Sequence, residues 1–198
     1  MSTWAAWGEV MTAVRAAELA LQDPRDLGRA RAAVAGSLKE LRHRLSNQLP
    51  ARPTLQALFA LAVLFDERAQ ATTGARPGQW QPLQLELFDT DEGGTRFFEE
   101  LDHLLVDPAA HPFVLEVYAF CLAEGFRGVY QNDPEPLQRH RARLLDRLSR
   151  PVALPSAQTA LPTTLRDGPE MVVRVWGVAL GGVLLLHLMM RLWPGGGP

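Results

Sequence analysis

Asp66 and Glu67 stand side by side after a long apolar run, and two carboxylates can serve as general acid and base. Neighbours on a helix point about 100° apart, so the two do not readily share one substrate. The pair therefore reads as a solvated helix end or as a charged binding spot, with catalysis behind both. Asp89, Asp91 and Glu92 precede Gly93 and Gly94 but lack the full calcium-loop spacing and its terminal Glu. Asp102, His103 and His111 form no zinc pattern, since HExxH and a Cys pair are both missing. Cys121, the sole cysteine, sits in the apolar stretch AFCLAEGF, away from any base or cationic setting that would make it a nucleophile. A small buried hydrophobe is the plainer account of it. The sequence has no GxGxxG, no phosphate loop and no GxSxG, and GFRGVY has no strand before it. No catalytic residue, cofactor or metal is expected, and the chain is expected not to be an enzyme.

The elements that must position these residues are helical. Strand signals are nearly absent, so the expected fold class is all-α. Residues 4–21 are Ala-rich with apolar spacing, Asp26 is placed to cap the next helix, and residues 27–48 carry Leu27, Val34, Leu38, Leu41 and Leu45 at helical intervals. Thr54 opens TLQALFALAVLFDERAQA, whose wide apolar face marks it as the central buried helix. A turn-rich segment follows, with a short amphipathic piece from Leu83 to Phe88. TRFFEELDHLLVD and HPFVLEVYAFCLAEGF continue as helices, Gly125 and Gly128 end the second, and Pro136 to Ser149 make a basic helix. The acidic character of residues 86–107 against the basic character of 139–150 reads as a solvated pattern or as two faces for protein partners.

The bulk properties agree with a protein-binding role. Hydrophobic residues make up 47% of the 198, enough for a core. A net charge of −2 argues against nucleic acid as the partner. A single cysteine forbids an intrachain disulfide and fits a reducing compartment. The N-terminus shows no secretory signal, which keeps the bulk of the chain in the cytosol.

The C-terminal end differs. Residues 150–170 are rich in proline and read as a linker. Residues 171–193 form an apolar stretch of 23 residues, long enough as a helix to cross a hydrocarbon core of about 30 Å. Arg174 and Arg191 can snorkel outward from its ends, and Trp176 and Trp193 sit near the two interfaces. Leu185 lies in its apolar centre, while Gly177 and Gly181 hint at close helix–helix approach. The basic residues before the span keep residues 1–149 in the cytoplasm, with 194–198 as a short periplasmic tail.

The order of these pieces is distinctive. Phe65, Asp66 and Glu67 are followed by Trp80 with PLQLELF. Then come Gly94, Phe97 and Phe98 in GGTRFFEELDHLL, and after them Leu115, Glu116, Cys121, Gly125, Phe126, Gly128 and Tyr130 in LEVYAFCLAEGFRGVY. This resembles the DotU/TssL family of type VI secretion systems, related to DotU/IcmH of type IVb systems, over roughly residues 50–150. The resemblance implies an all-helical cytosolic domain of two packed helical bundles with one C-terminal transmembrane helix in the bacterial inner membrane. It implies a structural scaffold that anchors and docks the cytosolic baseplate. The implied partners are an IcmF/TssM-like inner-membrane protein, a TssK-type baseplate subunit, an outer-membrane lipoprotein indirectly, and a second copy of the chain. It gives Asp66 and Glu67 the part of the family's acidic pair, at a cleft implicated in partner contact. The alternative is a tail-anchored regulatory adaptor unrelated to secretion.

Overall fold

The computed structural model describes residues 3–22, 26–73 and 80–149. Among the described residues there is no strand. The elements are α1 (Thr3–Leu21), α2 (Leu27–Ser46), α3 (Ala51–Thr73), α4 (Leu83–Phe88), α5 (Gly93–Val106), α6 (Pro112–Ala123), a 3-10 turn (Gly128–Tyr130) and α7 (Pro134–Ser149). The linker 150–170, the span 171–193 with Arg174, Trp176, Gly177, Gly181, Leu185, Arg191 and Trp193, and the tail 194–198 lie outside the described residues. No helix among the described residues is long and apolar enough to cross a membrane.

α3 organises the domain. Every residue from Ala57 to Asp66 is buried, so this helix shows no polar face to water over almost three turns. It packs against α1, α2, α4, α5 and α6. Its start and end differ from the sequence expectation. Pro53 sits inside the first turn, where its missing N–H costs nothing, and Thr54 donates from its amide to the Pro50 carbonyl at 3.1 Å. At the other end α3 runs on to Thr73, so Asp66 and Glu67 lie within the helix rather than at its end.

α1 and α2 form a hairpin sealed by Val10, Val14, Ala17 and Leu21 against Val34, Leu38, Leu41 and Leu45. Asp26 caps α2, its Oδ1 accepting from the Arg29 amide at 2.9 Å. On the other side of α3, α6 buries Phe113, Val114, Leu115, Val117, Tyr118, Cys121 and Leu122. α5 and α7 close over it, with α7 burying only Leu137, His140 and Leu144. A tie between the two regions comes from Trp7, whose Nε1–H donates to Glu116 Oε2 at 2.6 Å. The Trp7 ring stands edge-on to Phe113 and Phe120 at 5.6 and 5.8 Å.

The acidic and basic segments meet each other. Arg143 donates to Asp102 Oδ1 at 2.5 Å, and Arg147 to the Asp107 carbonyl at 3.4 Å. His140 Nε2 lies 3.4 Å from Asp102 Oδ2. These bonds fasten α7 to α5, so charges that read as two separate faces are partly spent inside the domain.

Candidate functional site

Asp66 has 3% of its surface exposed, and its carboxylate accepts three hydrogen bonds. The Trp80 indole N–H donates to Oδ1 at 2.8 Å, the Leu83 amide to Oδ1 at 2.8 Å, and the Gln84 amide to Oδ2 at 3.0 Å. Leu83 and Gln84 are the first two residues of α4, whose amides have no partner within that helix. Pro82 precedes them and offers no capping side chain. Asp66 therefore caps α4 from α3, across 17 residues of sequence. Burial pushes the Asp66 carboxyl above the usual carboxylate range, and the bonds from Leu83, Trp80 and Gln84 pull partly against it. A solvated helix end is ruled out for this residue.

Glu67, one position on, points elsewhere, as the helical angle requires. Its Oε1 accepts from the Arg127 amide at 2.9 Å and its Oε2 from the Gly128 amide at 2.8 Å. The two carboxylates thus hold two different segments: Asp66 the start of α4, Glu67 the start of the 3-10 turn.

The turn held by Glu67 is built by its own local chemistry. α6 ends in a Schellman arrangement, with the Phe126 amide donating to the Cys121 carbonyl at 3.0 Å and the Gly125 amide to the Leu122 carbonyl at 3.2 Å. Gly125 takes φ +94, which an L side chain rarely adopts. Gly128, at φ +51, presses on Gly94; a Cβ there would lie 2.7 Å from the Gly94 carbonyl oxygen. Two glycines thus allow the α5 start and the turn to touch backbone to backbone.

The remaining singled-out residues have structural surroundings. Phe65 and Leu115 are buried beside the pair and in α6 respectively. Phe97 stacks on Tyr118 at 4.5 Å and meets Phe126 at 4.4 Å, while Phe98 meets Tyr130 at 4.6 Å and His140 at 5.0 Å. Cys121 is fully buried, burial drives its thiol well above the ordinary range, and its Sγ donates to the Ala60 carbonyl at 3.5 Å. That is the setting of an inert thiol. Among the described residues no group of three His, Cys, Asp or Glu side chains is placed to hold a metal ion.

Sequence reasoning missed the arginines that fasten this region. Arg31 donates to the Gln81 carbonyl and to Glu86, each at 2.7 Å, bracing the start of α4 from α2. Arg68, directly after the pair, bridges Glu18 of α1 at 3.0 Å and Glu124 at the end of α6. The run Asp66-Glu67-Arg68 was itself the available signal: three successive charges inside a buried helix require partners.

The described residues thus form an all-helical domain in which the two paired carboxylates each hold backbone amides of another segment. The model of the family "Type VI secretion system protein DotU" matches residues 4–193, and the chain belongs to that family. Among solved structures, DotU from Francisella novicida superposes with a TM-score of 0.64 at 17% identity, covering 74% of this chain and 99% of that one. The cytoplasmic domain of TssL from Acinetobacter baumannii gives a TM-score of 0.57 at 29% identity, covering 63% of this chain and 82% of that one. SciP/TssL from enteroaggregative Escherichia coli 042 gives 0.57 at 24% identity, covering 82% and 96%. A search of curated proteins finds no match.

Proposed function

We propose that the chain is a non-catalytic scaffold of the type VI secretion membrane complex. It is held to the bacterial inner membrane by residues 171–193, and its helical domain docks the cytosolic baseplate from the cytoplasmic side. The observation that carries this is the family match across residues 4–193, which includes both the helical domain and the apolar C-terminal stretch. The α1–α2 hairpin on one side of α3 and the α5–α7 group on the other suit a domain of two packed bundles. An IcmF/TssM-like inner-membrane protein and a TssK-type baseplate subunit are the direct partners, an outer-membrane lipoprotein an indirect one, and a second copy of the chain completes a dimer. Tethering raises the effective concentration of weakly bound subunits at the membrane, so modest contacts suffice. The region held by Asp66 and Glu67 is the docking site on this reading.

The test is co-purification of the full-length chain from native membranes, with mass spectrometry of the eluate. An IcmF-like protein and baseplate subunits are the expected companions, and reversing the charge at Asp66 and Glu67 together is expected to remove the baseplate subunits. An eluate without either class, from membranes in which the chain is intact, would end this reading.

A further inference from the structure

The two carboxylates singled out as a partner-binding pair are already occupied. All four oxygens of Asp66 and Glu67 accept hydrogen bonds from within the domain. Asp66 is 3% exposed and offers nothing to a partner. Glu67 is half-buried, and both its oxygens are taken by the Arg127 and Gly128 amides, so either carboxylate would have to give up bonds that are costly to leave unmade before it could bind a partner. What the pair does present is backbone. Asp66 fixes the start of α4, and Glu67 fixes Arg127 and Gly128.

The turn fixed by Glu67 has an outer face that is not satisfied. Val129 is 53% exposed, and Arg127 is exposed with no ion pair among the described residues; its only bond to the pair is through its backbone amide. Gly128 between them is pinned on Gly94, so the turn has little freedom to shift. Backbone held at 127 and 128 sets where an exposed cation and an exposed apolar side chain leave the chain, which suits a partner that offers a carboxylate next to an apolar surface.

Resting on the docking function set out above, we propose that Asp66 and Glu67 are positioning residues that never touch the partner. They hold α4 and the 127–130 turn, and Arg127 and Val129 make the contact, with an acidic and apolar patch on the baseplate subunit. Loss of docking on substituting the pair then follows from displacement of the turn and not from loss of negative charge at the interface.

The full-length chain in detergent micelles is titrated with a purified TssK-type baseplate subunit, and amide hydrogen exchange is followed at Arg127 and Gly128 in the chain alone. Glu67→Gln keeps one acceptor and is expected to speed exchange at these amides and weaken docking together, each by roughly tenfold. Gly128→Ala leaves both carboxylates in place but forces the turn off Gly94, and is expected to weaken docking as much. Arg127→Glu alters only an exposed side chain, so folding is not at issue; it is expected to weaken docking by at least as much with the thermal midpoint unchanged. The proposal is overturned if Arg127→Glu docks like the unsubstituted chain. It is equally overturned if Glu67→Gln abolishes docking while exchange at both amides stays as it was. If the unsubstituted chain docks and only these outcomes fail, this inference alone falls. If the unsubstituted chain does not dock, the docking function falls and takes this inference with it.

Discussion

At Asp66 two opposing effects meet. Burial disfavours the carboxylate anion, and three N–H donors favour it. Replacing Asp66 by Ala leaves the Trp80 indole and two α4 amides unpaired in a largely dry setting. The expected cost is about 2–4 kcal/mol, measurable by urea unfolding. Asp66→Asn should cost less, because one oxygen remains, although its amide nitrogen would then face the Gln84 amide. The pH dependence has a definite sign. Because the folded-state value is raised above 3.8, the folded state binds the proton more tightly than the unfolded one. The stability contributed by this group is therefore present below 3.8 and lost as pH rises through the folded value. Acidification from neutrality should thus favour the unsubstituted chain relative to Asp66→Asn, and paired unfolding curves at neutral and mildly acid pH check this.

A six-residue helix such as α4 cannot nucleate on its own in water. It persists because Asp66 caps it, Arg31 holds the Gln81 carbonyl two residues ahead of it, and Glu86 pairs with Arg31 and Lys39 at 2.7 and 3.2 Å. Each of those partners lies on another element. α1 depends on a similar long-range tie. Trp7→Phe would keep the ring contacts with Phe113 and Phe120 but lose the bond to Glu116, 109 residues away. A loss of about 1–2 kcal/mol is expected, with a lowered thermal midpoint and faster amide exchange along α1. Helical periodicity was enough to place α1, α2, α5 and α6 within a few residues, because amphipathic spacing and caps such as Asp26 are local signals. The end of α3 was misread for the opposite reason. Charges at Asp66 and Glu67 look like a helix leaving the core unless their acceptor duties on Leu83 and Gly128 are known.

For the whole molecule, the central prediction concerns attachment. The chain shortened to end before residue 171 is expected to move from the membrane fraction to the soluble fraction on ultracentrifugation, with its helical circular-dichroism signal retained. Recovery of that shortened chain in the membrane pellet would remove the role given to residues 171–193. Within the helical domain, the all-α class, the burial of α3 and the order of the motif pieces could be argued from residue types alone, since hydrophobic spacing and glycine placement are properties of the chain. The same holds for the inertness of Cys121, which follows from its apolar neighbours. Only the tertiary structure decided what the charged residues do. It turned the acidic and basic segments towards each other through Asp102 and Arg143, and it gave Asp66 the start of α4 and Glu67 the start of the 3-10 turn to hold. The physical reason is that burying apolar surface depends mainly on composition and period. A hydrogen bond depends on a partner's position to within a fraction of an ångström, and here those partners lie from 14 to 61 residues away.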